Sequence, residues 1–86
     1  MLLEKGCVVR SVAGHDKGEF LVCVAVDERF AMVVDGRQRP LAKPKKKNLR
    51  HLQMTTCVAT EESMRTDKQL RRLLAAFTAA DGPVTR

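Results

Sequence analysis

The chain has 86 residues, 44% apolar content and a formal charge of +6, so one small basic domain with an anionic partner is expected. No stretch approaches the roughly 20 apolar residues of a membrane span, and the acid and glycine of "MLLEKGCVVR" come too early for a signal peptide, which predicts a cytoplasmic protein with no membrane partner. Cys7, Cys23 and Cys57 form no C-x-x-C pair, and neither His15 nor His51 stands at zinc-ligand spacing to them, so buried reduced thiols are expected rather than a metal site.

"GCVVRSV" (6–12) is a valine-rich run interrupted by Arg10, which reads as a strand with one face partly wet. "AGHDKG" (13–18) is a turn with two bracketing glycines. "EFLVCVAV" (19–26) places Phe20, Val22, Val24 and Val26 on one face and Leu21, Cys23 and Ala25 on the other. A strand apolar on both faces belongs at the centre of the fold. "DER" (27–29) reads as a tight turn and "FAMVV" (30–34) as the next strand, after which Asp35–Gly36 is a hairpin signal. The returning strand is then "RQRPLA", polar and interrupted by Pro40, hence short or at an edge. "KPKKKN" is expected to leave the sheet, and "LRHLQMTTCVAT" (49–60) to resume it. About five short strands within residues 1–60 give the pattern of a small β-barrel.

Residues 61–86 form an extension of different character, a linker (61–66) followed by a helix over about 67–80. Thr66 and Gln69 fit a capping box, Leu70, Leu73, Leu74 and Phe77 share one helical face, and Gly82–Pro83 supplies a stop. A helix of this length is marginal alone, so its leucine face packs either on the barrel, the commoner solution, or on a partner protein. Phe20, Phe30 and Phe77 are the chain's three aromatic residues, and all three are expected in the core.

The charge is unevenly placed. Residues 36–60 carry Arg37, Arg39, Lys43, Lys45, Lys46, Lys47 and Arg50 and no acid, whereas acids outnumber bases in the first 35 residues. One segment therefore holds the basic excess, the pattern of an electrostatic footprint; the plain alternative is a solvated surface loop. At the first turn, Gly14 and Gly18 let backbone N–H groups approach a phosphate, and Lys17 adds a point charge. Asp16 is expected to cap that turn. Arg37 and Arg39, two apart on the expected strand, share a face suited to phosphate or a guanine edge. Lys43, Lys45, Lys46 and Lys47 form an extended rim, which Arg50 and His51 continue.

The blocks R-S-x-A-G-x-D-K-G, D-G-x-x-R and K-P-K-K-K, in that order within residues 5–52, resemble the small KOW-domain proteins related to a KOW-bearing ribosomal protein family of the large subunit. "LRRLLAAF" is loosely similar to C-terminal segments of such proteins. The resemblance implies a mainly β fold, an SH3-like five-stranded barrel followed by a C-terminal α-helix, that binds RNA, typically ribosomal RNA. A departure is His15, where arginine is more usual in the family. A permanent charge at the tip of that turn is thereby lost, because histidine is mostly neutral at cytosolic pH.

The resulting candidate RNA contacts are Arg10, Gly14, His15, Lys17, Gly18, Arg37, Arg39, Lys43, Lys45, Lys46, Lys47, Arg50 and His51. With no Trp or Tyr, base stacking is not expected to drive binding, which leaves backbone and shape recognition of structured RNA or the ribosome. The acids Asp16, Asp27, Glu28 and Asp35 fall at turns without nucleophile–base or metal-ligand spacing, so neither catalysis, a cofactor nor a small-molecule substrate is expected. The competing expectation is a transcription- or translation-associated protein-interaction adaptor, and "KPKKKNLR" also reads as a localisation signal.

Overall fold

A computed structural model describes residues 3–81, with residues 77–81 given as helical backbone only. Gly82–Pro83 and the Phe77 side chain, both invoked above, lie outside the described residues. Five strands, β1 (Cys7–Ser11), β2 (Phe20–Val26), β3 (Phe30–Val34), β4 (Lys45–Asn48) and β5 (Leu52–Val58), precede one α-helix, α1 (Asp67–Asp81). The strands form one antiparallel sheet in the order β4-β3-β2-β1-β5. The fold is thus mainly β with a C-terminal helix, and no helix of the described residues is long and apolar enough to cross a membrane.

β2 is central, as its two apolar faces require. Leu21 and Cys23 pack with Cys7, Val9, Ala31 and Val33 on one side, while Val22 packs with Val8, Val34, Leu70 and Leu74 on the other. Val26 departs from the expected alternation. The β2–β3 register shifts between Cys23 and Ala25, and this irregularity turns Val26 from the face of Val22 and Val24 to that of Leu21, because one extra residue in a strand inverts every side chain after it. β1 and β5 slip between Cys7 and Val9; there Thr55 donates its hydroxyl to the Val8 carbonyl at 2.7 Å.

The fourth strand is not the one expected. "RQRPLA" is irregular, and the strand is the lysine run Lys45–Asn48. The Asp35 carboxylate accepts the N–H groups of both Arg37 and Arg39 (2.8 and 2.9 Å), which curls residues 35–39 into a loop instead of a two-residue hairpin. The ring nitrogens of Pro40 and Pro44 have no hydrogen to donate to a ladder. Lysines tolerate the position because β4 is the last strand of the sheet order, where charged side chains discourage pairing with a further chain.

The link to α1 contains a short 3₁₀ turn at Glu62–Met64. Thr66 accepts the Gln69 N–H through its hydroxyl at 3.1 Å, the expected cap. Leu70 and Leu74 are buried on the chain's own sheet, so the core-facing side of the helix is not left for a partner. Burial of two leucines contributes roughly 3–6 kcal/mol, enough to fix a helix that would be marginal alone. Gly36 lets the β3–β4 loop (residues 35–44) lie against the helix: its φ is +78°, and a Cβ there would sit 2.5 Å from the Asp67 carbonyl oxygen. Asp67 accepts the Leu41 N–H at 2.8 Å, and Arg71 donates to the Gly36 carbonyl at 2.8 Å.

Candidate nucleic-acid interface

The β1–β2 loop (residues 12–19) and β4 are distant in sequence and adjacent in space. Lys47 reaches from β4 to the loop, its Nζ 2.6 Å from Asp16 Oδ1 and 2.9 Å from the Ala13 carbonyl. Ser11 Oγ lies 2.9 Å from that same carboxylate oxygen. Ser11, Asp16 and Lys47 are all buried. Register explains the direction: Lys47 pairs with Ala31, which lies in the cluster of Val9 and Leu21. The lysine therefore enters on the core side and its ammonium requires a counter-charge. Burial works against ionisation of Asp16, but hydrogen bonds from Lys47 and Ser11 together with the lysine's charge outweigh it and hold the carboxyl below its ordinary range. Gly14 sits against the pair, at φ +88°, and a Cβ there would come within 3.1 Å of Lys47 Nζ.

Two expectations change here. Lys47 belongs to the buried frame rather than to an exposed rim. The amides at the end of the loop are also engaged: Gly18 N–H donates to the Ser11 carbonyl (2.7 Å), Lys17 N–H to Gly14 (3.2 Å) and Glu19 N–H to Asp16 (2.9 Å). Gly18 thus shapes the loop, its own N–H being turned inward to Ser11. The Asp16 carboxylate, expected to cap the turn, holds Ser11 Oγ and Lys47 Nζ, and it is the residue's backbone carbonyl that closes the turn by accepting the Glu19 N–H.

The exposed basic groups distribute around this frame. His15 and Lys17 are exposed at the loop, and Lys43, Lys45 and Lys46 along the basic segment. Lys46, on the other side of β4 from Lys47, lies over the Phe30 ring at 4.3 Å. Phe30 is accordingly half-buried rather than in the core, and the cation occupies one of its faces; Phe20 is half-buried and packs against the cluster of Val22 and Leu70. Arg50 is exposed, with its N–H capped by Asn48 Oδ1 at 2.9 Å, and His51 is exposed beside the loop, its carbonyl accepting Val12 N–H at 2.9 Å. Arg10 is half-buried on β1, opposite Phe20.

Arg37 and Arg39 do not share a strand face, since their segment is a loop. Arg37 is exposed; Arg39 is half-buried, with its Nε enclosed and without a partner among the described residues. Two arginines missing from the sequence-derived set lie close to it. Arg29, from the β2–β3 turn, lines a small cleft of about 430 Å³ with Asn48 and Arg50. Arg71 of α1 lines another with Arg37 and Gly18. The stripe Lys68–Arg71–Arg72, at helical spacing beside the leucines, was the signal available for the latter.

Of the cysteines, Cys7 and Cys23 are buried and Cys57 is half-buried. Burial, with a smaller contribution from Cys7, pushes the Cys23 thiol up to about 12. No group of metal-ligating side chains occurs among the described residues. No known family model matches the chain, and no curated protein is significantly similar to it.

Proposed function

We propose that the chain is a non-catalytic RNA-binding module of the KOW type, its sheet forming an SH3-like barrel, that binds ribosomal RNA or the ribosome in the cytoplasm through phosphate and shape contacts. The observation that carries this reading is the Lys47 bridge, which spans 31 and 34 residues of sequence to set the glycine loop beside the basic segment. Two elements with separate sequence signals for an anionic ligand thereby lie side by side, and Lys17, Lys43, Lys45 and Lys46 are exposed on them. Solvated lysines suit phosphates as point charges. The Phe30 ring, with an ammonium over one face, is ill placed to stack a base or to line a peptide groove, which favours backbone recognition over a base reader or an adaptor.

The test is fluorescence anisotropy with labelled large-subunit ribosomal RNA over a series of salt concentrations. Four phosphate contacts give a slope of log affinity against log salt of about −3 to −3.6. A flat response would remove the electrostatic reading.

A further inference from the structure

A cleft of about 640 Å³ separates α1 from the β1–β2 and β3–β4 loops, with Gly18 and Glu19 on one side, Arg37 on the second and Arg71 and Leu74 on the helix. Its walls are fastened. Arg71 donates Nη1 to the Gly36 carbonyl, and Asp67 holds the Leu41 N–H. Asp35, which also lines the cleft, receives the N–H groups of Arg37 and Arg39, so part of that carboxylate's hydrogen-bonding capacity is spent within the loop. Gly18 contributes no side chain to obstruct the approach. Lys68, one helical turn before Arg71 and exposed, extends the basic stripe along the helix.

We infer that this cleft is a second phosphate subsite of the same RNA interface, with the Arg37 and Arg71 guanidiniums as its cationic walls. α1 then contacts the ligand as well as covering the core. The inference rests on the RNA-binding reading above. A guanidinium has five N–H donors, so Arg71 can keep its bond to Gly36 and still present donors to a phosphate, for which the fork is well shaped. Glu19 and Asp35 oppose a phosphate there: both carboxylates line the cleft, and the exposed Glu19 is the one not occupied by loop N–H groups.

The full-length protein is titrated with labelled large-subunit ribosomal RNA at several salt concentrations, as wild type, Arg37→Gln, Arg71→Gln and Glu19→Gln. Each arginine variant should lower the steepness of the salt dependence by about 0.7–0.9 and weaken binding, and Glu19→Gln should tighten it. Arg37→Gln alters an exposed side chain, so its result stands even if Arg71→Gln disturbs the helix contact, which circular dichroism reports. A salt-dependent wild type with unchanged slopes in both arginine variants and no gain in Glu19→Gln overturns the cleft alone. A salt-independent wild type overturns the RNA reading, and the cleft with it.

Discussion

One face of the sheet is closed by leucines of α1, whereas the core on the other face is bordered by a buried ion pair between β4 and the β1–β2 loop. The first closure uses area: Leu70 is fully buried and Leu74 nearly so, and any apolar side chain of similar size and shape would contribute most of the same energy. The second uses geometry. Lys47 meets one carboxylate oxygen and one carbonyl, while the second oxygen, Asp16 Oδ2, is enclosed without a partner among the described residues. A pair of that kind adds little net stability once desolvation is counted, yet it fixes which loop conformation lies beside the basic strand. The apolar closure therefore holds the fold, and the polar closure holds the shape of the candidate interface.

This contrast breaks most sharply at Lys47. Lys47→Met keeps the stem but leaves Asp16 buried without its counter-charge, and is expected to cost about 3–5 kcal/mol in urea unfolding; adding Asp16→Asn should recover part of that loss. Neutralising Lys45, Lys46 and Lys47 together would consequently confuse folding with binding.

The pair also predicts an acid limb. A carboxyl held below its ordinary value contributes stability above the unfolded-state value near 3.9, and loses it as pH falls through the lower folded value. Stability should drop below about pH 4, and less steeply in the double variant than in wild type. Asp27, also held low by the Phe30 and Arg29 N–H groups, adds to the limb in both. An equal acid limb in the two proteins would mean that Asp16 carries none of it.

On the apolar side, Leu70→Ala is expected to cost about 2–5 kcal/mol. Unlike Lys47→Met, it should not be relieved by acid, because no charge is stranded. Thr66→Ala removes the helix cap for about 1 kcal/mol, read as a lower midpoint in the same unfolding experiment. The smallest stability effect belongs to Lys45→Ser with Lys46→Ser. The Lys46–Phe30 contact, about 0.5–1 kcal/mol at an exposed site, is lost there together with the pull of Lys46 on Asp27, while the slope for RNA should become shallower by about 0.7–0.9 per lysine. If RNA binding survives that double change untouched, the exposed lysines of β4 are not part of the interface.

Much of the fold was legible in the order of residues. Apolar runs marked β1, β2, β3 and β5, and the 0, +3, +4 spacing of Leu70, Leu73 and Leu74, with Thr66 before it, marked α1, because burial and capping follow local periodicity. The basic excess of residues 36–60 and the glycine turn at 14–18 were equally visible as composition. What sequence alone left undetermined was pairing and direction. Lys45, Lys46 and Lys47 look alike in a string of letters; alternation across β4, set by the pairing of Lys47 with Ala31, separates Lys46 from the other two, and burial against Asp16 and Ala13 separates Lys47 from the exposed Lys45. Asp16 became the partner of a residue 31 positions away because tertiary structure placed them together. Local chemistry thus determined four of the five strands and the helix; that the lysine run forms the fourth strand, and which of its lysines is frame and which is free, was decided by pairing and burial, properties of strands packed against one another.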